Sequence, residues 1–174
     1  SQIEPLYIVN DQLNTLIAEG MATRKLKKEK TIPWYIDCEE TNMWCPHTKK
    51  PRTAMARRAK ALVEELWESR SGVVSTQVLQ ELAVNLRRKA KKPLDAKGTR
   101  DIVSDYLAWQ VVVNGGDSIL EALDLEARYQ ISFWDALVIQ AAQVAGAEIL
   151  YSEDLSDGQR YGTVRVKNPL TRGE

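Results

Sequence analysis

Four acidic residues carry most of the chemistry on offer in this sequence. Asp37 follows the short apolar run Trp34-Tyr35-Ile36, and Asp154 follows Glu148-Ile149-Leu150-Tyr151. Glu81 and Asp135 fall near the starts of two segments with helical periodicity. Four carboxylates converging on one edge repel one another unless they are protonated or bridged by cations, so a hard divalent ion, Mg2+ or Mn2+, is their natural counterion. Such an ion activates a water and steadies the charge developing on a phosphodiester, and it needs no histidine to do so. His47 is the only histidine and lies in a loop-like Cys-Pro-His-Thr segment, which leaves acid–base and metal work to the carboxylates.

Each acid also has an ordinary structural reading. Ser132-x-x-Asp135 is close to a capping box, in which the Ser oxygen takes an orphan N–H and the acid answers it. Asp154 suits a turn, and Glu81 gains from the helix macrodipole. Cys38-x6-Cys45-x-His47 lacks the tight pair spacing of a zinc site, and two cysteines make no disulfide framework.

The acids need elements to hold them. The segment from Ser132 has Ala136, Leu137, Ile139, Ala141, Val144 and Ala145 covering most of a helical surface, which predicts a largely buried helix. Gly146 should stop it, and Glu148 to Tyr151 has the length and apolar character of a buried strand. Upstream, a helix is expected from Thr53, with Ala59, Leu62, Val63, Leu66 and Trp67 on its apolar face and Gly72 as its stop. Val73-Val74-Ser75 reads as a strand, with Ser75 or Thr76 capping a helix whose core face is Val78, Leu79, Leu82, Ala83 and Leu86. A helix over 96–108, a strand over 109–113, a helix over 117–129 and a last strand over 163–166 follow. Short apolar strands alternating with longer amphipathic helices predict an α/β fold with a parallel sheet covered on both faces. Right-handed crossovers then bring the strand exits to one edge.

A chain of 174 residues with 44% hydrophobic residues buries a core without staples. No apolar run approaches a membrane span and no signal-peptide pattern opens the sequence, so a cytoplasmic protein with no membrane partner is expected. Net charge is zero but unevenly spread. Residues 21–60 hold eleven Lys or Arg against four acids, and residues 101–160 hold two against eleven. That distribution suits a basic rim for a phosphate backbone beside an acidic centre for cations, and it equally describes a solvated surface.

Three stretches give the chain a family resemblance. Ser75-Thr76-Gln77-Val78-Leu79-Gln80-Glu81, Ile131-Ser132-Phe133-Trp134-Asp135-Ala136-Leu137 and Leu150-Tyr151-Ser152-Glu153-Asp154-Leu155 resemble the three downstream motifs of PIN-domain ribonucleases, especially VapC-type toxins of bacterial toxin–antitoxin pairs. The resemblance covers about residues 34–170. It implies a three-layer α/β/α domain with a central, mostly parallel sheet. It also implies a metal-dependent endoribonuclease acting on RNA, a homodimer, and inhibition by a cognate antitoxin. Glu81, Asp135 and Asp154 match the family's second, third and fourth acids. The first motif departs from the pattern: Asp37 is followed by Cys38-Glu39-Glu40-Thr41-Asn42, which displaces the usual Asn.

On this reading residues 31–174 form the PIN-like domain and residues 1–30 an N-terminal extension. Within the extension Leu6, Val9, Leu13, Leu16 and Ile17 fit a helix, while Leu6-Tyr7-Ile8-Val9 equally fit a strand. Two competing functions remain. One is a non-catalytic module that uses the scaffold to hold RNA or a protein, which the altered first motif favours. The other is a metal-dependent phosphatase, which the missing Asp-x-Asp at Asp37-Cys38-Glu39 disfavours.

Overall fold

The computed structural model describes residues 6–8, 51–88 and 93–169, and for residues 6–8, 51–57 and 60 it describes the backbone alone. The strands are β1 (Leu6–Ile8), β2 (Gly72–Ser75), β3 (Gln110–Val112), β4 (Ile149–Tyr151), β5 (Arg160–Tyr161) and β6 (Val164–Lys167). They form one sheet in the order β3-β2-β1-β4-β6-β5. Every pairing is parallel except that of β5 with β6. The helices are α1 (Pro51–Ser69), α2 (Thr76–Arg88), α3 (Ala96–Tyr106), α4 (Gly116–Tyr129) and α5 (Phe133–Val144). This is the parallel-sheet α/β architecture expected from the alternation of short strands and longer helices.

Burial explains why these residues adopt these elements. All four residues of β2 are buried, as a strand covered on both faces requires. Helix α5 buries every residue from Ala136 to Ala142, so its apolar character extends around the helix rather than along one stripe. Fully burying Ile139 alone contributes about 1.5–3 kcal/mol. On α2 the buried set is Gln77, Val78, Leu79, Leu82, Asn85 and Leu86, and two of these six are amides. Among the described residues no helix is long and apolar enough to cross a membrane.

The element ends differ from expectation in instructive places. Helix α1 begins at Pro51 rather than Thr53, because proline's fixed φ and missing N–H suit the first helical position. It is not stopped by Gly72. Arg70 takes the left-handed turn, with φ 56°, and Gly72 opens β2. Gly146 does follow α5 with φ 69°, as a helix-ending glycine should. Strand β5 was not anticipated. It pairs Tyr161 with Val164 across Gly162-Thr163, and Gly162 supplies the positive φ of 62° that a two-residue hairpin turn demands.

The most consequential placement is that of β1. It comes from the stretch whose structure the sequence leaves open, and it lies at the middle of the sheet. Leu6 is paired with Gly72 on one side and with Ile149 on the other. The strand expected over Trp34-Tyr35-Ile36, with Asp37 at its exit, lies outside the described residues.

Candidate active site

Strand order locates the crevice. From β1 the chain adds β2 and then β3 on one side, and it returns to place β4 on the other. In open parallel sheets such a reversal leaves a gap at the carboxyl ends of the two strands, here β1 and β4. The segment after β4 and the starts of α2 and α5 belong to that edge, since a helix following a strand starts at its exit and one leading into a parallel strand ends at its entry.

Helix α2 starts at this edge without a loop, because β2 ends at Ser75 and α2 begins at Thr76, and Glu81 lies in its second turn. Ser75 Oγ accepts from the backbone N of Val78 at 3.3 Å, so Ser75 is the cap. Glu81 is half-buried, and its Oε1 accepts a hydrogen bond from Gln77 Nε2 at 2.9 Å. One turn of helix separates the pair, the spacing at which side chains meet. Asn114, just past β3, ties the helix start to the neighbouring strand exit. Its Oδ1 accepts from Thr76 Oγ1 at 3.0 Å and from the backbone N of Gln77 at 3.2 Å, and its backbone N donates to Thr76 Oγ1 at 3.1 Å.

Asp135 sits in the first turn of α5 and is half-buried. The cap is real: Ser132 Oγ accepts from the backbone N of Asp135 at 3.1 Å and donates to Asp135 Oδ2 at 2.6 Å. The N-cap half of the expected capping box is therefore observed, while the Asp135 carboxylate accepts from the Ser132 hydroxyl, a bond that holds one carboxylate oxygen in a defined direction. Asp135 also bears on Tyr161, whose phenol is raised above its ordinary range by burial first, then by the Asp135 charge and Tyr129. The rings of Tyr129 and Tyr161 meet edge-on at 5.0 Å.

Asp154 follows β4 and is exposed. Buried Ser152 shapes the turn, its Oγ accepting from the backbone N of Asp154 and of Leu155, each at 3.3 Å. Beside it Glu153 is half-buried, and burial first, then the Asp154 charge, pushes its carboxyl up to about 7. Glu153, Gln77 and Asn114 were not singled out by sequence reasoning. Only the one-turn spacing of Gln77 and Glu81 was readable in advance.

By type the donors fit a hard divalent cation, since Glu81, Asp135 and Asp154 offer only carboxylate oxygens. Among the described residues, however, no three His, Cys, Asp or Glu side chains stand close enough together to hold a metal ion. The three acids share an edge without forming a closed ligand set there, and Asp37 lies outside the described residues.

Residues 41–156 match the model of the PIN domain, well over half of the chain, and the chain belongs to that family. Its fold is accordingly the three-layer α/β/α arrangement, and PIN domains are in general nucleases that act on nucleic acids and typically use divalent metals. The match includes Glu81, Asp135 and Asp154 and begins after Asp37. No curated protein matches the chain.

Proposed function

We propose that the chain is a metal-dependent endoribonuclease, the toxin of a toxin–antitoxin pair, working in the cytoplasm on RNA. The observation that supports this reading is that Asp135 stands in the first turn of α5, Asp154 follows β4 and Glu81 lies in the second turn of α2, on elements that start or end at one sheet edge. Together with Asp37 they would hold Mg2+ or Mn2+. When bound, such an ion supplies a water of lowered pKa and charge stabilisation at the phosphodiester. The chain's own part is orientation. Gln77 presents the Glu81 carboxylate, and Ser132 presents that of Asp135.

The partners follow from the same surface. An antitoxin segment bearing Arg or Lys would enter the acidic edge, matching the carboxylates with a cation and excluding substrate. The exposed Ile119, Leu120 and Leu123 on α4 support association with a second copy as a homodimer.

A second reading is a PIN-like module that binds RNA or protein without cutting it. The lack of a three-acid cluster among the described residues favours it. The deciding experiment is cleavage of single-stranded RNA with Mg2+ or Mn2+, against an EDTA control and the variants Asp135→Asn and Asp37→Asn. Metal-dependent cleavage that both variants abolish is the expected result. RNA binding without cleavage by the parent protein would establish the module instead.

A further inference from the structure

We propose that one face of β5 and β6, bearing Arg160, Arg165 and Lys167, is a track for the phosphate backbone of single-stranded RNA; the proposal rests on RNA being the substrate and requires no metal site. Strand β6 lies between β4 and β5 in the sheet, yet it is not built like an interior strand. Its residues alternate between buried and exposed, whereas β2 is buried throughout. Val164 and Val166 go to the core, and Arg165 and Lys167 stand exposed on the opposite face.

Register adds a third cation to that face. Arg160 on β5 is exposed and directly opposite Arg165. Like charges so placed repel and cost stability. Among the described residues neither guanidinium is paired with a carboxylate. Charges on an edge strand discourage pairing with other chains, and that accounts for Arg160 on β5. It does not account for Arg165 and Lys167, because β6 is paired on both sides. An anion from outside relieves the repulsion and gives all three side chains a use.

The track leads to the crevice. Lys167 ends β6, and register sets it beside Tyr151, which ends β4. Its Nζ stands 5.9 Å from the centroid of the Tyr151 ring, a cation–π distance. The ammonium is thereby held next to the strand that Asp154 follows. Arg165 and Lys167 are about 6.6 Å apart along the strand, so the two cations can meet successive phosphates of an extended chain. An acidic protein segment offers the same charge, but PIN domains act on nucleic acids, which favours the phosphate backbone.

The test is binding of a labelled single-stranded oligouridylate to the full chain in EDTA, where no metal-dependent cleavage intervenes, across a salt series. Arg165→Gln and Lys167→Gln should each weaken binding about fivefold at about 0.1 M salt and reduce the slope of log affinity against log salt by about 0.7. Arg165→Lys should keep the parent slope, and Arg100→Gln, which removes an exposed charge from α3, should change neither quantity. The melting temperature of Arg165→Gln should equal or exceed the parent's, since the cross-strand repulsion is gone; a residue kept for structure would lose stability instead. Folded Arg165→Gln and Lys167→Gln proteins with parent affinity and slope would overturn the proposal, as would an equal loss in Arg100→Gln. A parent that binds no RNA, or that binds polyglutamate of equal charge more tightly, overturns it too. A parent that binds with these slopes but cuts nothing leaves the track standing and refutes only the nuclease reading. Should the neutral variants not fold, the Nε–H resonances of Arg160 and Arg165 in the parent are followed by NMR as RNA is added. Resonances that move with saturation support the track, and ones that stay fixed refute it.

Discussion

Gly72 lies directly beneath the indole of Trp109: a Cβ built on it would stand 2.4 Å from the ring. Trp109 is itself buried and meets the rings of Trp67 at 5.3 Å and Tyr106 at 5.1 Å, so it has little room to withdraw. Gly72→Ala should therefore destabilise the fold by overpacking, by about 1–3 kcal/mol. Denaturant unfolding with an unchanged m-value would measure it. A midpoint equal to the parent's would mean that the strand shifts freely at this point.

Ser132 serves both as the cap of α5 and as a partner of the Asp135 carboxylate. Ser132→Ala should cost about 0.5–2 kcal/mol, the usual loss of an N-cap. Ser132→Gly should cost only a few tenths of that unit, since glycine is nearly as good at the position. If both lower RNA cleavage far more than their stability differs, the hydroxyl's hold on Asp135 matters beyond the cap.

Glu153 gives metal-free protein a distinctive response to pH. Its carboxyl titrates near 7 when folded, against 4.5 as its ordinary value. The folded state therefore binds the proton more tightly than the unfolded chain does. The stability tied to that proton is fully present below about 4.5 and is lost as pH rises to about 7 and beyond. Glu153→Gln should flatten the melting temperature across that window and raise it at pH 8. A parent curve that is flat between pH 5 and 8 counts against the burial described for Glu153.

Legibility in the sequence followed the reach of local pattern. The α5–β4 unit could be read directly, because a run of small and branched apolar residues ends at Gly146 and a short apolar segment follows. The helix cap was narrowed to Ser75 or Thr76 by residue type, and Ser75 is the one that accepts from the backbone N of Val78. Strand β1 stayed open between helix and strand, since three apolar residues have no periodicity to display, and the strands that flank it are far away in sequence. Strand β5, with two residues, falls below any periodic signal. At the candidate site, the acids could be named from motif spacing, but their surroundings could not. The burial of Gln77 and of Glu153 has no signature in the local sequence, and the link from Asn114 to Thr76 joins residues on different strands' exits.

The position of β1 sets an order of events during synthesis. Its first neighbour, β2, is made early, but its second, β4, is not complete until Tyr151 has been added. β2 ends at Ser75 and β4 at Tyr151, so at about 5–20 residues per second β1 waits about 4–15 seconds with one side open. A ribosome stalled in that interval holds a nascent chain whose bare strand edge invites pairing with other chains. The crevice between β1 and β4 cannot form in such a fragment, so truncated products lack the acidic edge and are prone to aggregate.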